Sequence, residues 1–298
     1  MDVLVAGDAN PDLILRGDTV PRFGQAEQLL TAADLVLGGS AAITACGLAR
    51  LGLRTTLLAA VGDDAFGAIT RQSLAERGVR LQSPAADGVP TGISVHLSTV
   101  DDRAILTLPG TIPTLRPQDI TDEHLAATRH LHVGSLYLQP ALARGLAEVF
   151  GRARALGVGT SLDTNFDPSG RWESLAEILA QTDVFLPNAA ELLAVTGAAD
   201  PAAGAAALVA GGTTVVMKDG ARGARAWWPG GGCSAPGRPV TVVDATGAGD
   251  SFNAGFLAAR LAGRSLEDAV GWAAVAGSLS TRAAGGTAAQ ATLVDVSG

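Results

Sequence analysis

The sequence predicts an α/β fold: a parallel-dominated central sheet with helices on both faces, plus a small β-sheet lid. Three observations predict it. From His130 onward, short apolar strand-like runs alternate with helical patterns, and repeated βα units imply parallel strands covered on both sides. Two segments, about residues 12–37 and 91–108, break that rhythm. In the second, apolar Ile93, Val95 and Leu97 alternate with polar Ser94, His96 and Ser98, as in a half-exposed strand. Finally, the 298 residues show no internal repeat and no interdomain linker, which suits one domain over residues 1–298.

The elements follow in order. Met1–Gly7 reads as a first strand, Asp8–Asp12 as a polar turn and Leu13–Leu15 as a short strand. Gly38-Gly39-Ser40 then opens a helix from about Ala41 to Leu51, closed by Gly52. Thr55–Val61 is a strand, and the helix after Gly62–Gly67 closes at Gly78. Thr91–Thr99 and Ala104–Leu108 form a hairpin turned at Val100–Arg103. Beyond Pro113, strands are expected at His130–Val133, Gly159–Leu162, Val184–Leu186 and Thr213–Met217. Helices are expected at Leu142–Leu156, Trp172–Ala180, Ala189–Val195 and Ala202–Ala210. Ala226–Trp228 and Val240–Val243 are expected to pair, and helices near Ser251–Leu261 and Leu266–Thr281 close the chain.

Composition limits the partners. The hydrophobic content is 47% with 4% aromatic, the formal charge is −8, and Lys218 is the only lysine. An acidic chain without a basic run argues against nucleic-acid binding. No apolar run reaches the ~18 residues of a membrane span, and a cytoplasmic location is expected. Cys46 and Cys233 form no C-x-x-C. His96, His124, His130 and His132 show no ligand spacing and are read as surface or structural. The 38 glycines make isolated Gly pairs weak signals.

The chemistry gathers at Val240–Ala259, VTVVDATGAGDSFNAGFLAA. The order is strand, Gly-rich turn, helix start. Helix-start amides are unpaired, and the dipole there favours anions. Gly247, Ala248 and Gly249 can therefore bring backbone N–H groups close to a phosphate. Asp250 would repel that phosphate unless it takes a proton from the attacking group. The plainer reading makes Asp250 a helix N-cap. There is no G-x-x-x-x-G-K-[ST] and no complete G-x-G-x-x-G, so P-loop and dinucleotide chemistry are not indicated.

Other groups follow the same logic. Asn10 and Asp12, two residues apart in extended chain, point to one side and can hold adjacent hydroxyls; an Asx turn is the alternative. Gly38 and Gly39 offer a turn against which a ligand can lie. Asn188 and Glu191 share a helix face and suit Mg²⁺ through water, or form a simple capping pair. Asp163-Thr164-Asn165 ends a strand, where ligands meet parallel sheets.

The run D-x-T-G-A-G-D-x-F from Asp244 to Phe252 resembles the C-terminal signature of the ribokinase-like (PfkB) carbohydrate kinases. Gly38-Gly39 with Leu51-Gly52, Asn10-x-Asp12, Asp163-x-Asn165, Asn188-x-x-Glu191, and Lys218 with Gly220 and Gly223 resemble its other motifs in order. The resemblance implies an ATP-dependent kinase acting on a hydroxymethyl group of a sugar or derivative. It makes Asp250 the catalytic base and Gly247, Ala248 and Gly249 the anion hole. Asn10, Asp12, Gly38 and Gly39 become sugar contacts; Lys218, Gly220 and Gly223 become nucleotide contacts. Mg²⁺ is implied at Asn188 and Glu191, and a monovalent cation such as K⁺ at Asp244 and Thr246. A water-excluding lid, with a homodimer through it, is also implied. Ala245 stands where Thr is common, and Ile43 stands where the family commonly has a sugar-binding Asn. A nucleoside kinase of the same fold and a silent sugar-binding protein are the alternatives. For a phosphosugar acceptor, Arg16, Arg22 and Arg103 are the basic candidates.

Overall fold

The computed structural model describes residues 1–99 and 103–298. Thirteen strands form along these residues: β1 Val3–Ala6, β2 Asn10–Gly17, β3 Leu30–Gly38, β4 Thr55–Leu58, β5 Arg80–Gln82, β6 Ile93–Ser98, β7 Arg103–Leu108, β8 His130–Val133, β9 Gly159–Leu162, β10 Val184–Phe185, β11 Thr214–Lys218, β12 Ala224–Trp228 and β13 Gly231–Ala235. Nine of them make one sheet, in the order β13-β12-β11-β10-β9-β8-β1-β4-β5. From β11 to β5 all pairings are parallel, and β12 and β13 add an antiparallel edge.

The apolar runs become central strands because both faces are covered. In β1, Val3 and Val5 pack into one helical layer and Leu4 and Ala6 into the other. The first layer contains the helices Ser40–Arg50, Ala248–Leu261 and Leu266–Ser280. The second includes Leu146–Ala155 and Leu175–Leu179. Both faces are mainly apolar, with Thr55, Thr56, His130, His132, Thr160 and Ser161 buried among them, while the charged Asp163 and Lys218 stand at strand ends. No single helix among the described residues is long and apolar enough to cross a membrane.

The other four strands form a separate sheet, ordered β3-β2-β6-β7. β2 pairs antiparallel with β3 and parallel with β6, and β6 pairs antiparallel with β7. These are the segments that break the α/β rhythm. Of the turn expected at Val100–Arg103, residues 100–102 lie outside the described residues, and Arg103 already belongs to β7.

Four expectations are corrected. Val240–Val243 is not a strand: β12 pairs with β13 instead, while Val242 and Val243 are exposed. Val243 N and Asp244 N both donate to Thr281 O, at 2.8 and 3.1 Å, which fixes the approach to the Gly-rich turn. The helix expected over Leu142–Leu156 is broken into Pro140–Ala143 and Leu146–Ala155 at Gly145, a poor helix former. The helix expected from Trp172 begins only at Leu175, because Trp172 and Ser174 take left-handed backbone with φ of 52° and 60°. Finally, β5 adds an unanticipated three-residue edge strand.

Candidate active site

The helix Ala248–Leu261 starts at Gly247, whose φ of 71° requires left-handed backbone. Asp250 therefore lies in the first helical turn and is not the N-cap, which corrects the plainer sequence reading. Its carboxyl is buried, 7% exposed. Ser40 Oγ donates to Asp250 Oδ1 at 2.5 Å, so the first residue of the helix Ser40–Arg50 meets the first turn of Ala248–Leu261. Burial, then the charge of Asp163, pushes the Asp250 carboxyl up to about 8; Ser40 and Lys218 oppose the rise and Asp8 adds to it.

A cavity of about 760 Å³ opens beside this carboxyl. Its walls include the Gly247–Gly249 turn together with Asp163, Asn188, Glu191 and Lys218. Gly220, Gly223 and Arg103 also line it. The expected transfer, metal and nucleotide residues thus meet in one space. Within the turn, Ala248 N donates to Ala245 O at 3.3 Å.

The strand ends β9 and β11 deliver opposite charges. Lys218 Nζ donates to Asp163 Oδ2 at 2.5 Å, and Asn253 Nδ2 donates to the same oxygen at 2.6 Å. Burial alone would raise Asp163, but the Lys218 ammonium and the Asn253 amide, with a smaller part from His132, together hold the carboxyl below its ordinary range. Glu191 is pushed up by burial and then by Asp163, against Lys218 and Asn188. Asn188 and Glu191 form a full capping box: Glu191 N donates to Asn188 Oδ1 and Asn188 N to Glu191 Oε2, each at 2.9 Å. No group of three His, Cys, Asp or Glu side chains able to hold a metal occurs among the described residues. This donor set suits Mg²⁺ held through water and phosphate rather than in a protein cage.

The expected sugar residues form a neighbouring buried group. Asn10 Nδ2 donates to Asp12 Oδ1 at 2.9 Å, as the period of an extended strand requires. Gly38 pairs with Asn10 across β2 and β3 and lies against the Asp12 side chain, so that a Cβ there would stand 2.0 Å from Asp12 Oδ1. His96 is not on the surface: its Nε2 lies 3.4 Å from Asp12 Oδ2, with both side chains 6% exposed. Its sequence signal was the polar phase of the alternating strand. Asp8 was also missed. It accepts from Ser40 N at 3.2 Å and Ala41 N at 2.9 Å, satisfying helix-start amides that Gly39 cannot cap. Ile43 is buried behind the Gly-rich turn, where a Cβ on Gly247 or Gly286 would stand 3.0 and 2.5 Å from its side chain.

Two of the arginine candidates do not line the cavity. Arg16 pairs with Asp34, and Arg22 with Asp18, both within the small sheet's segments. Arg103, at the start of β7, donates to Thr246 Oγ1 at 2.8 Å and stands 3.9 Å from Asp244 Oδ1. Asp244 already accepts from Thr246 N, Thr246 Oγ1 and Gly285 N, at 2.9, 2.7 and 2.9 Å. With a guanidinium beside this engaged carboxylate, the expected monovalent-cation site does not fit the residues present.

Two outcomes follow. Gly38→Ala forces Asp12 aside, so binding of the sugar expected at Asp12 should weaken at least tenfold while binding of the expected nucleotide stays unchanged; titration calorimetry with each ligand checks both. Asp250→Asn removes a group whose folded pKa lies above its unfolded value of roughly 4. Wild-type stability from this group is present below pH ~4 and is lost as pH rises to about 8. The melting temperature of the Asn variant, relative to wild type, should therefore climb between those limits.

Comparison with known proteins agrees with this fold. The family model described as pfkB family carbohydrate kinase matches residues 1–293. The ATP-dependent ribose-1-phosphate kinase of Halopiger xanaduensis is 32% identical over 281 residues, 93% of this chain and 90% of that relative. The solved adenosine kinase of Sinorhizobium meliloti superposes with a TM-score of 0.86 at 27% identity, over 96% of this chain and 95% of that one. A candidate ribokinase II from E. coli, solved with ATP and Mg²⁺, gives a TM-score of 0.86 at 23% identity, over 99% and 97%.

Proposed function

Because the chain belongs to the pfkB family of carbohydrate kinases, we propose that it moves the γ-phosphoryl group of ATP to a hydroxymethyl group of a sugar or sugar derivative, with Asp250 as general base. That it is an ATP-dependent carbohydrate kinase follows from the family. The observation that carries the finer reading is the buried Asp250 carboxyl beside the Gly247–Gly249 turn in one cavity.

The acceptor oxygen forms a bond to Pγ as the bond from Pγ to the β-bridging oxygen breaks. The acceptor proton goes to an Asp250 oxygen, and ADP leaves. Such transfer depends mainly on positioning and charge stabilisation. The Gly247–Gly249 turn would hold the transferred group, although Ala248 N here donates to Ala245 O, and Gly220 and Gly223 would line the nucleotide end. Asn188 and Glu191 would hold Mg²⁺ through water, where the ion supplies charge neutralisation on the phosphates. Asn10 and Asp12 would hold sugar hydroxyls.

Strands β2, β3, β6 and β7 act as the lid in this reading. The Arg103 contact with Thr246 supports it, since it ties β7 to the Gly-rich turn. Excluding water there limits ATP hydrolysis. A homodimer through the lid rests on the exposed side chains of Ile105, Leu106 and Leu108. The likeness to an adenosine kinase favours a second reading, a nucleoside acceptor, at the same site.

The test is a phosphorylation screen over sugars, sugar acids, phosphosugars and nucleosides, followed by Asp250→Asn with the best acceptor. A general base contributes roughly 10²–10⁴-fold, so kcat should fall by that factor with ATP binding retained. An active Asn variant contradicts the base role. Absence of transfer by wild type to every acceptor favours a silent binder.

A further inference from the structure

The chain carries 21 Lys and Arg residues together, and Lys218 is the only lysine among them. It sits on the wall of the cavity with a side chain only 14% exposed. Its place is fixed at both ends. The backbone closes β11 and donates from Lys218 N to Pro187 O at 2.9 Å. The ammonium bonds Asp163, which Asn253 holds from the helix that carries Asp250.

The direction of the side chain is the informative part. A Cβ placed on Gly249 would stand 3.5 Å from Lys218 Cδ and 3.6 Å from its Nζ. The ammonium therefore lies against the Gly-rich turn, one residue from Asp250. A compact ammonium can approach a phosphoryl oxygen as a point charge, whereas a planar guanidinium needs room for its fork. Lys218 and Gly249 both line the cavity, so a ligand oxygen entering it would meet the ammonium and the turn together.

We infer that Lys218 contacts the phosphoryl group in flight, as a catalytic residue distinct from the nucleotide-holding loop, and that Asp163 is the positioning residue that aims it. This rests on the reading of Asp250 and the Gly247–Gly249 turn as the transfer site. The ammonium balances charge building on the equatorial oxygens while the acceptor proton goes to Asp250. Asp163 holds it by a charge-assisted hydrogen bond, and the Asn253 amide keeps Asp163 from swinging toward the ligand. In the sequence, Lys218 reads only as part of a K-x-G-x-x-G run, which suggests nucleotide contact. Gly220 and Gly223 line the same cavity from the turn that begins two residues later, but the Lys218 ammonium lies against Gly249.

The experiment compares steady-state kinetics of wild type, Lys218→Met, Asp163→Asn and the double variant, using ATP and the acceptor found in the screen. A catalytic donor on a developing anion contributes roughly 10²–10³-fold to kcat, so Lys218→Met should lose that factor with KM for ATP within about threefold. Asp163→Asn should lower kcat in the same manner, and the double variant should be no worse than Lys218→Met, since both act through one contact. Lys218→Met leaves Asp163 buried without its partner and risks unfolding; the double variant removes both charges and carries the test in that case. A raised KM for ATP with wild-type kcat in the folded variants would make Lys218 a nucleotide-holding residue and overturn the inference. Wild-type kcat in the double variant would do the same. Wild type that transfers phosphoryl to no acceptor fails at the earlier step, the kinase reading itself.

Discussion

Asp8, Asp163, Glu191 and Asp250 are all less than a tenth exposed, and their carboxyl groups influence one another across one end of the sheet. Burying several carboxylates together is costly unless cations or hydrogen-bond donors answer them. The chain answers each differently. Asp8 takes two helix-start amides, Asp163 takes Lys218 and Asn253, Glu191 closes a capping box, and Asp250 takes the Ser40 hydroxyl. Asp250 takes a single neutral hydroxyl as its hydrogen-bond donor, and burial with the nearby charge of Asp163 pushes its carboxyl up despite Ser40 and Lys218. A group poised near working pH in a cleft is what proton transfer needs.

The rest of the fold serves this arrangement. A parallel sheet with both faces mainly apolar leaves its strand ends as the place where charges can collect. Asp163 follows β9 and Lys218 closes β11, so two crossovers far apart in sequence bring one ion pair together. The helices Ser40–Arg50 and Ala248–Leu261 then meet at their starts through Ser40 and Asp250. Beneath them, His130 Nε2 and His132 Nδ1 both lie 2.8 Å from Ser161 Oγ. Burial lowers these imidazoles to about 4 and about 3, which keeps both neutral inside the sheet.

Much of this was legible in the sequence, for physical reasons that vary by element. The central strands announced themselves as short, mainly apolar runs between helical patterns, even where β8 and β9 bury His130, His132 and Ser161. The break in rhythm marked the segments of β2, β3, β6 and β7 because this small sheet is partly exposed, β7 along its whole length, so it lacks the βα pattern of the covered sheet. Val240–Val243 misled because β-branched residues resemble a strand whether or not a partner exists; the hydrogen bonds to Thr281 and the pairing of β12 with β13 are long-range or turn-determined facts. Asp250 was legible as a reactive carboxylate, but its position inside the helix depended on the left-handed backbone of Gly247. Ser40, Asp8 and His96 stayed hidden because their roles exist only once separate elements meet.

The central claim is that the Asp250 carboxyl, buried beside the Gly-rich turn, is held far above the ordinary carboxylate range. Carbon NMR of ¹³C-labelled aspartate side chains reads it directly, with Asp250→Asn identifying the resonance by its loss. The account predicts a titration midpoint near 8 for that resonance in the free protein. A midpoint close to the ordinary aspartate value of roughly 4 would contradict it.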